Sequence, residues 1–230
     1  MNKKKLCYIV LLLLLCYKGN SQNKADSLSL NFIVKFNHQP LEFHKQYITS
    51  NKDTIALETF KCYISSVQIH YSDNSIFTEK DSYHLLDLEN PNSLHFLITK
   101  ANDKTIYKVV FNIGIDSLTS TSGAMAGDLD PTKGMYWAWQ SGYINMKMEG
   151  KSSSCKTRKN EFQFHIGGYM KPNYAMRKVE LVSKNQNLNI TIDVAEFFSV
   201  VNLSNTNSIM IPGKKAMELA DYSIKMFKIE

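Results

Sequence analysis

Apolar and polar side chains alternate along most of this chain, and a period of two residues is what a β-strand with one buried face requires. Residues 28–36 (LSLNFIVKF) place an apolar side chain at every second position, and residues 188–194 (LNITIDV) do the same. Further runs typical of strands cover 83–88, 106–113, 135–148, 161–169, 177–183 and 187–195. The chain is therefore predicted to be mainly β.

Residues 60–71 contain two alternating runs of opposite phase. The apolar positions are Phe60, Cys62 and Ile64 in the first run and Val67, Ile69 and Tyr71 in the second. One extra residue in a strand produces this change of phase, so the pattern predicts a β-bulge at Ser65-Ser66.

The C-terminal segment departs from the two-residue period. Between residues 214 and 227, Met217, Ala220, Ile224 and Phe227 recur at helical spacing with charged residues between them. We expect a helix there that packs on a sheet. About eight strands and one late helix, without a long linker, predict one domain over residues 22–230: an antiparallel β-sandwich with a C-terminal helix.

The first residues have the order of a secretory signal peptide. Lys3, Lys4 and Lys5 precede an apolar run that ends at Cys16, and a short polar stretch follows. The small residues Gly19 and Ser21 predict a signal peptide over residues 1–21. A lipoprotein anchor at Cys16 is the alternative, although the bulky Leu15 disfavours it. We expect a periplasmic, cell-surface or secreted protein with no transmembrane segment.

The net charge gives no reason to expect a nucleic-acid partner. The full chain carries +6, but four lysines and no acidic residue lie in residues 1–22, which leaves +2 for the remainder.

Two cysteines, Cys62 and Cys155, remain after the leader. An oxidising compartment would permit them to pair. Cys62 also fits a buried strand position, so the sequence leaves the pairing open.

Common catalytic signatures are absent: the chain has no H-E-x-x-H, C-x-x-C, G-x-S-x-G, P-loop or G-x-G-x-x-G motif. We see no acid–base pair to assign, and we expect a protein that is not an enzyme. Asp128 and Asp130 begin like a calcium loop, but Trp139 stands where an EF-hand needs a carboxylate. A looser Ca²⁺ loop is an alternative to the expected turn capped by these aspartates.

Two features stand out as candidate binding residues. His165 alternates with the apolar residues of its strand and precedes Gly167-Gly168, where missing side chains permit close approach to the backbone. Both tryptophans of the chain, Trp137 and Trp139, lie two residues apart, so an extended backbone directs them to one face. Core packing explains the tryptophans equally well.

Two longer segments around these residues resemble the MbnP-like family of exported copper-binding proteins. They are residues 127–150, GDLDPTKGMYWAWQSGYINMKMEG, and residues 162–169, FQFHIGGY. Weaker matches occur in the family's order at residues 60–67, 83–87 and 111–116. The resemblance runs from about residue 28 to the C-terminal helix.

This resemblance implies a β-rich fold, one copper ion per chain and a modifying partner, a di-haem enzyme of the MauG/cytochrome c peroxidase class. In the family, that partner oxidises a tryptophan to kynurenine, whose amine can join histidine as a copper ligand. Carried over to this chain, Trp137 or Trp139 is the residue oxidised and His165 is the ligand. His84 and His44 are the candidates for a second histidine ligand.

Two functions follow as hypotheses. The first is an exported copper-binding protein in copper acquisition or handling. The alternative is an exported adhesion or scaffold module that binds no metal and buries its tryptophans in the core. The third hypothesis is a copper oxidoreductase or another enzyme.

Overall fold

The computed structural model describes residues 27–140, 142–183 and 188–229. The signal peptide over residues 1–21, its cleavage after Ser21 and the alternative anchor at Cys16 lie outside the described residues. No helix among the described residues has the length and apolar character needed to cross a membrane.

The described residues are mainly β, as predicted. The strands are β1 (Ser27–Phe36), β2 (Gln39–Pro40), β3 (Tyr47–Ile48), β4 (Thr54–Tyr71), β5 (Ile76–Thr78), β6 (Tyr83–Asp87), β7 (His95–Lys100), β8 (Ile106–Ile113), β9 (Tyr136–Trp137), β10 (Gly142–Ser152), β11 (Glu161–Gly167), β12 (Arg177–Val182), β13 (Asn189–Asp193), β14 (Ser208–Ile209) and β15 (Phe227–Ile229). The helices are α1 (Ser117–Thr121), α2 (Val194–Phe198) and α3 (Lys214–Ser223), with 3₁₀ turns at Pro91–Leu94, Gly127–Leu129, Pro131–Lys133 and Ile224–Met226.

The smaller sheet is built on β1. The strand order is β15-β13-β1-β2, and β7 also pairs with β1. Strands β1 and β13 run parallel, with Asn31 opposite Asn189. The alternating burial of β1 directs Phe32, Val34 and Phe36 into the core.

The larger sheet is organised around the 18-residue strand β4. Its order is β12-β8-β4-β10-β11-β14, and β3, β5 and β6 pair with β4 as well. The first half of β4 pairs with β10 and the second half with β8. Apart from the parallel pairs β1–β13 and β11–β14, the strand pairs are antiparallel.

The β-bulge predicted in β4 is present. The register shifts between Ser65 and Gln68, and Ser66 adopts a left-handed φ of +54°. The amide of Val67 donates to the hydroxyl of Ser82 at 2.9 Å, so a side chain replaces part of the interrupted ladder.

The main core lies between the two sheets. Phe32 of β1 and Phe111 of β8 meet edge to face, with ring centroids 6.1 Å apart. The short helix α2 adds Phe197 to this core, and its ring centroid is 5.8 Å from that of Phe164 in β11. This packing confirms a β-sandwich with a C-terminal helix.

Three segments end differently from their predicted bounds. The helix expected over 214–227 ends at Ser223, and after one 3₁₀ turn Phe227 pairs with Ile192 in the smaller sheet. The strand expected over 187–195 stops at Asp193, whose carboxylate caps α2 by accepting from the Ala195 amide. The run 135–148 is divided by a turn into β9 and β10.

A second, smaller hydrophobic cluster covers the outer face of the larger sheet. Its buried members are Tyr63, Leu85, Ile115, Leu129, Met135, Trp137, Tyr143 and Ile144. Met146 and Met148, in contrast, belong to the main core. Cys62 and Cys155 are both buried free thiols.

Candidate functional site

The candidate site lies on the outer face of β10 and β11. Phe164 and Ile166 belong to the main core, so His165 between them projects from the opposite side of the sheet. Lys147 of β10 lies directly across from His165, and Glu149 lies across from Gln163. The antiparallel register therefore brings one histidine, one lysine and one glutamate to the same face.

His165 is held by Glu149. Its Nε2 atom is 2.7 Å from Glu149 Oε1, and His165 is only 8% exposed. The hydroxyl of Thr59 donates to the other carboxylate oxygen at 3.2 Å, and Lys147 Nζ is 3.6 Å from Oε1. One hydroxyl donor, one ammonium group and one imidazole thus surround the carboxylate.

This arrangement changes the acidity of Glu149. The hydrogen bond with His165 is the largest cause that holds the pKa of Glu149 below its ordinary value. Burial acts in the opposite direction, and the positive charge of Lys147 adds to the lowering. Glu149 is therefore a carboxylate at neutral pH.

Trp137 lies against the same strand, close to His165. Trp137 belongs to the outer cluster and is 5% exposed. A Cβ atom added at Gly167 would come within 2.8 Å of Trp137 Cη2 and Cζ3. Gly167 is the next residue after His165 on that face of β11, because side chains alternate along a strand. The indole of Trp137 therefore packs on the face of β11 that carries His165, two residues along the strand from it.

Trp139 takes a different environment from Trp137. Strand β9 ends at Trp137, and the following turn is closed by the Gln140 amide, which donates to the carbonyl of Trp137 at 3.3 Å. The two indole rings remain close, with centroids 5.9 Å apart at an interplanar angle of 49°. Trp139 is 63% exposed, so the pair connects the buried site to the surface.

The structure does not bring His84 or His44 together with His165. His84 of β6 pairs with Ile64, a main-core residue, and therefore lies on the opposite face of the larger sheet. It stacks on Phe96 with centroids 3.6 Å apart and contacts Glu79 at 2.9 Å. His44 is exposed, its amide donates to Leu57 of β4, and β4 and β10 separate it from β11.

The aspartates of the suspected calcium loop have other partners. Asp128 contacts Lys133 Nζ at 2.6 Å and accepts from the Leu85 amide at 3.1 Å. Asp130 caps a 3₁₀ turn by accepting from the amide and the hydroxyl of Thr132 at 2.8 and 2.7 Å. Both carboxylates stabilise the loop, which is the turn expected from the sequence.

Within the described residues, no group of three or more histidine, cysteine, aspartate or glutamate side chains is placed to hold a metal ion. The unmodified site offers one imidazole backed by one carboxylate. A copper ion fits this donor set only if a further nitrogen is supplied, and Trp137, which packs against Gly167 of the same strand, is the candidate source. An indole N–H does not itself bind metal, because it is a donor only.

Sequence reasoning did not identify Glu149, Thr59 or Lys147. The alternation of β10 does place Lys147 and Glu149 on the face opposite Met146 and Met148. Their meeting with His165 and Thr59 depends on the registers of β10 with β11 and β4, which one sequence does not reveal.

Comparison with known proteins bears on the family and the fold of this chain. The family model described as MbnP matches residues 25–211. The solved structure of MbnP from Methylosinus trichosporium is similar, with a TM-score of 0.58 and 12% identity over 80% of this chain and 82% of that chain. At this identity the likeness concerns the fold alone. A search of curated proteins found no match.

Proposed function

This chain belongs to the MbnP family, and on that premise we propose that it is an exported copper-binding protein that acts in copper acquisition or handling. The observation that carries the proposal is the contact of Trp137 with Gly167, beside His165. It supports the proposal because one of the two tryptophans that the family resemblance implies packs on the face of β11 that carries His165.

In this proposal, His165 and an oxidised Trp137 hold the copper ion. Oxidation of the indole to kynurenine leaves an aromatic amine, and an imidazole with an amine suits Cu(I) or Cu(II). Trp137 is the better candidate of the two tryptophans, because it contacts the strand that carries His165 whereas Trp139 is exposed.

The conversion is a four-electron oxidation carried out by the partner. The haems of the partner pass four electrons from the indole to two equivalents of peroxide, which take up four protons and are reduced to four molecules of water. Two water molecules supply the oxygen atoms that bind C2 and C3 as the bond between these carbons breaks, and the four protons are released, giving N-formylkynurenine. Hydrolysis then releases C2 as formate and leaves the aryl amine. The protein described here is the substrate of this reaction and not an enzyme.

Trp139 provides a route for electrons to the di-haem partner. Its exposed ring lies 5.9 Å from that of Trp137, so electrons can leave the buried indole without the partner entering the fold. We therefore propose that the partner docks over Trp139.

The proposal also requires export, which the basic and apolar order of residues 1–21 supports. A di-haem partner and a copper source are both expected outside the cytoplasm.

The test is to purify the protein from the cell that naturally exports it, then measure its intact mass, its tryptic map and its metal content. Copper together with a mass change of one carbon lost and one oxygen gained on Trp137 is the expected result. The matched control is the protein produced without the di-haem partner, in which both tryptophans should be unmodified. Unmodified tryptophans and no copper, even after Cu(I) is added, would refute the proposal in favour of the scaffold alternative.

A further inference from the structure

The carboxylate of Glu149, on the outer face of β10 and β11, is contacted by three side chains. Each of its oxygens has a partner: Oε1 faces His165 Nε2 at 2.7 Å and Lys147 Nζ at 3.6 Å, and Oε2 accepts from Thr59 at 3.2 Å. These partners come from three strands, β4, β10 and β11. The carboxylate is therefore fixed in position before any ligand arrives.

The partners determine which way the hydrogen bond to His165 runs. An ionised carboxylate only accepts, and both Lys147 and Thr59 direct donors at it, which favours the ionised form. The remaining partner, His165 Nε2, must then carry the proton. A neutral imidazole with its proton on Nε2 keeps a free electron pair on Nδ1.

Resting on the copper site proposed above, the geometry points to Glu149 as the positioning residue of His165: it keeps the proton on Nε2 and makes Nδ1 the nitrogen that binds metal. Histidines that ligate metals commonly donate their second N–H to a carboxylate, which fixes the ring and raises its basicity. Here Thr59 and Lys147 in turn fix the carboxylate.

The first measurement uses metal-free protein with ¹⁵N-labelled histidine. Long-range ¹H–¹⁵N correlation spectra, at a pH where the ring is neutral, distinguish the two tautomers, and a His165→Ala variant identifies the signals. We expect the wild-type ring to be in the Nε2–H form. In Glu149→Gln, whose amide both donates and accepts, we expect both tautomers.

The second measurement is Cu(I) affinity by competition with a chromophoric chelator. Loss of such an outer partner typically weakens metal binding about 10–100-fold, and we expect that range for Glu149→Gln. Thr59→Val, which keeps the shape of the side chain but removes the donor to Oε2, should weaken binding by less. The matched control is Glu161→Gln, which removes a carboxylate from β11 that forms an ion pair with Lys159 at 3.8 Å.

An Nδ1–H tautomer in the wild-type protein would overturn the assignment, even if the Glu149 variants fail to fold. The assignment would also be overturned if Glu149→Gln had the same His165 tautomer and the same copper affinity as the control Glu161→Gln. If the naturally exported wild-type protein takes up no copper, the proposed function fails. The tautomer of the metal-free protein still decides separately whether Glu149 positions His165.

Discussion

Gly167→Ala is the substitution that most directly tests the contact between Trp137 and β11. A Cβ at this position would lie 2.8 Å from two atoms of the indole and 2.8 Å from the carbonyl oxygen of Tyr143. Unstrained carbon contacts are about 3.5–4.0 Å, so the indole or the strand must shift by roughly 1 Å.

Forcing a methyl group into a packed site costs about 1–3 kcal/mol. A domain of this size has a free energy of unfolding of about 5–15 kcal/mol, so the Gly167→Ala protein should remain folded. Its midpoint of thermal unfolding should fall by about 2–4 °C for each kcal/mol. Displacement of Trp137 should also weaken copper binding by the naturally matured protein.

The assay is urea and thermal unfolding of Gly167→Ala beside Gly213→Ala. Nothing lies within 4 Å of a Cβ added at Gly213, so this control carries the same chemical change without the clash. Gly213 is the N-cap of α3, where alanine is less favourable than glycine, so we expect a loss of up to about 1 kcal/mol, smaller than for Gly167→Ala. Equal unfolding midpoints for the two variants would refute the placement of Trp137 on Gly167.

Trp137→Ala should lower the free energy of unfolding by about 3–5 kcal/mol because the side chain is buried. Trp139→Ala should change it by less than about 0.5 kcal/mol because that side chain is exposed, and denaturant titration of the two variants makes the comparison. Asp116→Asn should destabilise the protein at neutral pH by about 1–2 kcal/mol, because an uncharged amide replaces the carboxylate that accepts from the hydroxyls of Tyr83 and Thr119. Burial raises the pKa of Asp116, but its hydrogen bonds outweigh this and hold the pKa below 3.8. The stabilisation from ionised Asp116 is therefore complete above pH 3.8 and is lost as the pH falls through the lowered pKa, so urea titrations of the two proteins should converge in acid. Burial raises the pKa of Cys62 and raises that of Cys155 to about 11. Neither thiol should therefore react with a disulfide reagent until the protein is unfolded. Because both cysteines are free, a reductant should leave the unfolding midpoint unchanged.

The sequence predicted the strands whose alternation is regular. Strand β8 was expected over residues 106–113 and occupies Ile106–Ile113, and the bulge of β4 occurs at Ser65-Ser66 as expected. Strand β7, with the sequence HFLITK, was missed because its three apolar residues are consecutive and do not alternate with polar ones.

The candidate site was predicted in its residue types but not in its contacts. The family resemblance implied His165 together with Trp137 or Trp139, and the strand period placed His165 opposite the core. The network of Glu149, Lys147 and Thr59 depends on the pairing of three strands. The difference in exposure between Trp137 and Trp139 depends on one turn. Neither arrangement leaves a signal in local periodicity.

The parallel pairing of β1 with β13 has a consequence for how this chain is made. Asn31 and Asn189 are joined by a side-chain hydrogen bond across 158 positions, so the first strand has no neighbour on that side until most of the polypeptide has been synthesised. Contacts between such distant residues are slow to form because a long loop must close first. The smaller sheet therefore stays incomplete until β13 has been synthesised.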